Sequence, residues 1–202
     1  RDWSSDVCSS DLGGGIAQGD ALPGLDIDTE AGLAYFSDME WACRYAAANR
    51  VAILNAVADV VETAAGIDVD PDSFVDSPHN TATREDNGGG ALIVHRKSAN
   101  HADAGRRGVV AGSMAVGCRI VIGLGHAASL RSSAHGAGRL MSRTEARERI
   151  GGRDLEVRMR GVVYHRSWGN RFRDEAPQAY RDLHEVMQAQ RDLVKTELVL
   201  AP

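Results

Sequence analysis

Cysteine is scarce in this 202-residue chain: Cys8, Cys43 and Cys118 stand alone, without any C-x-x-C spacing. That pattern excludes a disulfide framework and a cysteine-built zinc or redox centre. Aromatic residues make up only 5% and prolines number five, which sets aside proline-rich and low-complexity architectures. No apolar run is long enough to span a bilayer. An excess of positive charge is missing too, because the formal net charge is −5. A protein held to nucleic acid by bulk charge is therefore excluded, and a local basic cleft is what remains. What is present, 43% hydrophobic and 25% charged residues, describes a globular protein of one or two domains that can bury a core without cross-links.

The first twelve residues stand apart. Arg1 to Leu12, RDWSSDVCSSDL, has neither a helical nor an alternating period and runs straight into Gly13-Gly14-Gly15. Trp3 to Leu12 back-translates to the end of a widely used sequencing-library adapter, so residues 1–12 are read as a fusion scar and left out of fold reasoning. Without them the balance is 22 basic against 25 acidic residues, or −3, and two thiols remain.

Residues 13–36 are rich in Gly and Asp with a Pro23-Gly24 turn, and read as a loop. Ser37-Asp38-Met39-Glu40 has the form of a capping box. Beyond it Met39, Ala42, Cys43, Ala46, Ile53, Leu54, Val57, Val60 and Val61 recur every three or four residues up to Gly66, predicting a long amphipathic helix. Ala91 to His95 reads as a strand after the Asn87–Gly90 turn, and Val109-Val110 and Arg119 to Ile122 read as two more. Ser142-Arg143-Thr144-Glu145 caps a second, short helix towards Gly151. Leu155 to Tyr164 alternates like a strand, and Gln178 to Val194 has a helical period after Pro177. Without a regular βαβ repeat, the class is α+β, mixed sheets with surrounding helices.

Seven histidines are many for this length, although an isolated histidine is more often structural than chemical. His135 has the most informative surroundings, Ser132-Ser133-Ala134-His135-Gly136-Ala137-Gly138-Arg139. Small neighbours let a bulky ligand reach the imidazole, and Arg139 can bind phosphate in bidentate fashion; the plain alternative is a glycine-rich turn. His79-Asn80 follows Pro78 and offers one metal ligand and one amide, where a metal site usually needs about three protein ligands. Arg96-Lys97 closes a strand, an end that either delivers side chains to a cleft or leaves them solvated. Ala111-Gly112-Ser113-Met114 can turn backbone N–H groups towards an anion. Gly136-Ala137-Gly138 and Gly123-Leu124-Gly125 lack the third glycine of a dinucleotide fingerprint, and there is no Gly-Lys-Ser/Thr phosphate loop.

Taken in order, His79-Asn80, Val94-His95-Arg96-Lys97, Gly112-Ser113-Met114, His135-Gly136-Ala137-Gly138-Arg139 with Met141-Ser142-Arg143, and Asp174-Glu175-Ala176-Pro177-Gln178-Ala179-Tyr180 form a set that resembles the RtcB family of RNA-splicing ligases. The resemblance extends from about Gly32, through Ala48-Asn49-Arg50, to the end of the chain. It corresponds to roughly the C-terminal half of a family member, so residues 13–202 are expected to be the C-terminal part of an RtcB-like, incomplete ligase domain.

The resemblance implies a GTP- and manganese-dependent enzyme that joins an RNA 3′-phosphate or 2′,3′-cyclic phosphate to a 5′-hydroxyl. His135 would attack the α-phosphate of GTP and carry GMP as a phosphoramidate. Arg139 and Lys97 would steady phosphates. His79 matches a ligand of one of the two manganese ions expected in an intact member. His79, Asn80, Ala111, Gly112, Ser113, Met114, Cys118, His135, Gly136, Ala137 and Gly138 match guanylate-binding segments. Expected partners are RNA with those end groups, GTP and a guanylylation helper protein, in the cytoplasm and away from membranes.

Departures from the family pattern are Ala111 for a usual proline, Ala134 for a cysteine and Cys118 for a serine. The family's Asp-x-x-Cys, Gly-Asn-His-Phe and His-Ser-Gly-Ser-Arg-Gly motifs, which supply the other metal ligands, are absent from this chain, as is its terminal Lys-Gly. Ligation by these residues alone is therefore not expected. The alternative function is a non-catalytic nucleotide- or RNA-binding paralogue that keeps the fold, and a further alternative is a fragment that does not fold as a unit.

Overall fold

The computed structural model describes residues 24–202. The adapter-like run 1–12 and the start of the predicted loop lie outside the described residues. The chain divides into two compact units, Arg1–Ala64 and Ala65–Pro202.

The first unit is dominated by helix α1, Glu30–Ala65. It opens seven residues before the predicted Ser37 capping box, so Ser37 to Glu40 lie inside the helix and the predicted loop ends at residue 29. The cap is Thr29, whose Oγ1 accepts the Gly32 N–H at 3.2 Å while its carbonyl accepts the Leu33 N–H at 2.9 Å. A hydroxyl at that position satisfies a first-turn donor as well as Ser37 would. Gly66, with φ +64, follows the last helical residue and is the expected left-handed stop.

The second unit is built from small antiparallel sheets and short helices, an α+β arrangement. Strands β1 (Asn80–Asp86) and β2 (Ala91–Lys97) pair in register from Asn80↔Lys97 to Asp86↔Ala91. Their tight loop rests on Gly88 and Gly90, both at positive φ. Strand β3 (Ala99–His101) pairs with β6 (Ser132–Ala134). A third sheet has the order β4-β5-β7, from Arg107–Ala111, Cys118–Gly123 and Val194–Leu200.

Helix α2 (Arg143–Arg149) opens at Ser142, whose Oγ accepts the Glu145 N–H at 3.1 Å, as the sequence predicts. Helix α3 (Gly152–Arg158) replaces the predicted strand over Leu155 to Tyr164. The reason is burial: Leu155 and Met159, four residues apart, face the core, while Val157 between them is exposed. One buried face at that spacing is helical. The predicted helix from Gln178 to Val194 shrinks to α4, Leu183–Ala189. Pro177–Ala179 forms only a 3-10 turn, and Asp182 sets the true start by accepting the His184 and Glu185 N–H groups at 2.6 and 3.3 Å. Val194 already belongs to β7.

Two core clusters hold the second unit. One gathers Ala102, Val110, Val121, Ala137, Leu183 and Val194 between α4 and the three-stranded sheet. The other joins α2 and α3 through Ala146, Ile150, Leu155 and Met159 to Ala176 and Ala179. Among the described residues no helix is long and apolar enough to cross a membrane.

Candidate functional site: two histidines on a glycine-rich bed

The pairing of β3 with β6 determines where His135 stands. Ala99 lies opposite Ala134, so the residues just outside that register, Ser98 and His135, come from neighbouring strand ends. Ser98, at φ +59, donates its N–H to the His79 carbonyl at 2.6 Å. Through this turn the hairpin's open end meets the end of β6. The His79 and His135 rings meet edge to face, with centroids 4.6 Å apart and planes at 81°. Asn80 and Lys97 are cross-strand partners beside them, and the Asn80 Oδ1 accepts the Ser98 N–H at 3.4 Å.

The glycine segments are joined by backbone. Ala111 donates to the His135 carbonyl at 3.0 Å, and its own carbonyl accepts from Ala137 at 2.8 Å. This bridge leaves little room, since a Cβ on Gly136 would stand 3.0 Å from the Ala111 oxygen. Beyond Ala111 the chain folds into a tight turn in which the Ser113 carbonyl accepts the Val116 and Gly117 N–H groups at 3.0 and 2.9 Å. Gly112 sits where a Cβ would lie 2.7 Å from the Gly117 oxygen and 3.0 Å from Leu183 Cδ2. Ser113 is buried, Met114 packs into the second core cluster, and Cys118, a half-buried free thiol, pairs with Ala111 across the strands. Gly138 takes φ +76 and passes the chain on to Arg139.

Arg139 turns to the protein. Its Nε donates to the Met141 carbonyl at 3.1 Å, and Nη1 donates to Glu175 at 3.2 Å and to the Tyr180 hydroxyl at 2.9 Å. Its Nη2 donates to the Asp174 carbonyl, and the guanidinium lies 4.9 Å over the Tyr180 ring. The Asp174–Tyr180 block thus closes around Arg139 and anchors the loop that follows His135. Lys97, by contrast, is exposed at the hairpin's open end.

Sequence reasoning missed the clamp behind the histidines. Arg96 does not reach into a cleft, nor is it solvated: it is 2% exposed. Its guanidinium grips both oxygens of Glu85, and also donates to Thr83 Oγ1 at 3.1 Å, the Leu130 carbonyl at 2.8 Å and Ser132 Oγ at 2.9 Å. The clamp therefore ties the β1-β2 hairpin, with His79 and Lys97 at its end, to the strand that leads into His135. Arg96's hydrogen bonds are the main reason the Glu85 pKa falls from 4.5 to about 2, against the opposing effect of burial. His101, beside the same clamp, has a lowered pKa because burial and the charges of Arg96 and Arg106 outweigh Glu85 and Asp103.

Burial likewise lowers the His135 pKa, with His79 a second cause. A neutral imidazole keeps a lone pair available for nucleophilic attack. Because the folded-state pKa is depressed, the associated stability is present above the ordinary histidine value of 6.5 and is lost as pH falls. Removing His79 should raise the His135 titration midpoint while leaving it below the ordinary value, since burial is the larger cause. NMR titration of the His135 ring in wild type and His79→Ala measures this; an unmoved or lowered midpoint contradicts it.

A manganese ion asks for more than these residues offer. His79 supplies one imidazole, and among the described residues no group of three His, Cys, Asp or Glu side chains converges. The described residues do not by themselves fit the metal.

His135 is thus a strand-end histidine seated on a glycine-rich bed, with His79 at its edge. Residues 15–202 match the family model of tRNA-splicing ligase RtcB. The chain belongs to this family. It is 36% identical over 173 residues to the RNA-splicing ligase RtcB of Escherichia coli, covering 81% of this chain and 42% of that protein. It is 31% identical over 193 residues to the tRNA-splicing ligase RtcB of Thermococcus kodakarensis (83% and 40%), and 29% identical over 195 residues to the Mycobacterium tuberculosis RNA-splicing ligase RtcB (87% and 45%). The chain thus spans less than half the length of these relatives.

Proposed function

We propose that this chain is the nucleophile-bearing part of an RNA ligase that works through a guanylylated histidine. The observation that carries the proposal is the meeting of His79 and His135, 4.6 Å apart, at the end of a backbone-linked glycine bed. The family's relatives are named as RNA-splicing ligases, and a neutral, half-buried imidazole suits nucleophilic work.

In the proposed sequence an imidazole nitrogen of His135 attacks the α-phosphorus of GTP. A P–N bond forms, the bond to the β-phosphate oxygen breaks, pyrophosphate leaves and the ring gives up its N–H proton to solvent. An oxygen of the RNA 3′-phosphate then attacks the same phosphorus, the P–N bond breaks and the ring nitrogen takes back a proton from solvent. Attack by the 5′-hydroxyl on that activated phosphate expels GMP and closes the phosphodiester. A 2′,3′-cyclic end enters after water opens it to the 3′-phosphate. The small residues around His135 give the nucleotide access, and exposed Lys97 is a cation able to meet phosphate charge at the hairpin end.

Peptide mass spectrometry of the full-length protein after incubation with GTP and Mn²⁺ tests this. The expected result is a GMP adduct on the peptide containing His135, lost in His135→Asn. An adduct on another residue overturns the assignment, and GTP binding without any adduct favours the non-catalytic paralogue.

A further inference from the structure

Away from the histidines, α4 and the β5-β7 edge of the three-stranded sheet enclose an open cleft of about 510 Å³. Two of its residues, His184 and Gln188, lie one turn apart on α4, and Arg191 follows in the turn after the helix ends at Ala189. The sheet supplies Arg119 and Thr196, with Met187 and Val199 as the apolar floor. Helical spacing explains the first pair. Cross-strand pairing explains the second, since Arg119 stands opposite Val199 and Thr196 opposite Val121.

The chemistry of the lining is one-sided. Two guanidiniums face the cleft with an imidazole, an amide and a hydroxyl, and no carboxylate lines it. Of the neighbouring acids, Glu197 pairs with Arg107 at 2.8 Å. Arg119 donates only to the adjacent Cys118 carbonyl, at 3.3 Å, among the described residues. Two guanidiniums lining one cleft offer forked donors to an anion that enters it.

The shape selects the kind of anion. Small-molecule sites bury most of their ligand, whereas this cleft is open to solvent. Arginines in an open groove suit a polymer that threads past, and without a Phe, Tyr or Trp in the lining there is no stacking platform for bases. The groove also shares a sheet with the nucleophile site: Arg119 follows Cys118, which pairs with Ala111, which bonds the His135 carbonyl.

We propose that the α4/β5-β7 cleft is a second RNA contact, in which Arg119 and Arg191 hold backbone phosphates of a single strand independently of its sequence. The inference rests on the RNA reading above, and its test separates the two.

Fluorescence anisotropy of a labelled single-stranded RNA is measured with the full chain across roughly 50–200 mM salt. Removing two phosphate contacts in Arg119→Ala/Arg191→Ala should weaken binding and reduce the log–log salt slope by about 1.4. The affinity ratio of wild type to variant should then shrink about sevenfold across that salt range. Arg119→Lys/Arg191→Lys should restore the slope, and an unchanged thermal midpoint in both variants shows that the fold is intact. Equal slopes and affinities in wild type and the double alanine variant overturn the proposal, as does an absence of RNA binding by wild type. Binding of inorganic phosphate or GTP that disappears in the alanine variant while RNA binding persists overturns the assignment to RNA. Failure of the His135 adduct in every version counts against the ligase reading and leaves the cleft result standing.

Discussion

Glu85→Ala is expected to destabilise the second unit by about 3–5 kcal/mol, the cost of leaving a buried charge without its partner. Arg96 is 2% exposed and Glu85's side chain 13% exposed, so water cannot replace the lost carboxylate. Thr83, Ser132 and the Leu130 carbonyl would still accept from the guanidinium, but none carries charge. Replacing both partners with apolar residues of similar volume should cost much less, because the desolvation penalty disappears together with the attraction. A double-mutant cycle by urea denaturation separates the two cases.

The acid limb of the stability curve carries the same signature. Glu85's pKa is about 2 in the fold against an ordinary 4.5. The carboxylate's contribution is therefore complete above about pH 4.5 and disappears as pH falls towards 2, a loss of roughly 3 kcal/mol. Glu85→Ala should flatten that limb. An alanine variant as stable as wild type at pH 7, with the acid limb unchanged, would show that the pair holds nothing together.

Leu183→Ala is the second large effect, expected at about 2–5 kcal/mol by loss of buried surface and the cavity left behind. Leu183 is 1% exposed and lies in the cluster formed by Ala102, Val110, Val121, Ala137 and Val194. It also stands over the turn that follows Ala111, where its Cδ2 would be 3.0 Å from a Cβ on Gly112. Gly112→Ala should consequently destabilise by overpacking, about 1–3 kcal/mol. The two changes should combine less than additively, because the shortened side chain makes space for the new methyl. The Gly117 oxygen, 2.7 Å from that methyl, keeps the relief partial. Denaturation of the two single variants and the double variant gives the coupling; strict additivity would mean that Leu183 and Gly112 do not share this space.

Local signals in the sequence carried some elements and misplaced others. The period from Met39 to Val61 and the Ser142 cap depend on near neighbours and led to α1 and α2. Thr29 was passed over because Ser37-Asp38-Met39-Glu40 has the stronger local form, yet a helix starts where its first free N–H groups find an acceptor. Leu155 to Tyr164 was misread because alternation of residue type is not alternation of burial. Strand β7 needed β5, more than half a domain earlier, to define it. In the site, the ordered motifs named the histidines, but their approach depends on two separate strand registers, β1 with β2 and β3 with β6. The clamp was hidden for a similar reason. Glu85 stands opposite Leu92 and Arg96 opposite Thr81, so the pair meets diagonally along one face, where no sequence spacing points.

One residue decides how the histidine's segment is held. Ala111 has an N–H, which a proline there would lack, and it is that N–H which binds the His135 carbonyl at 3.0 Å. A proline ring fixes its own φ permanently and has no donor to give. Alanine exchanges that built-in stiffness for a latch, a single hydrogen bond that thermal motion can open and close with its own local free energy. The backbone of His135 is thus anchored reversibly, and the rigidity of its seat depends on temperature and solvent in a way that a ring constraint does not.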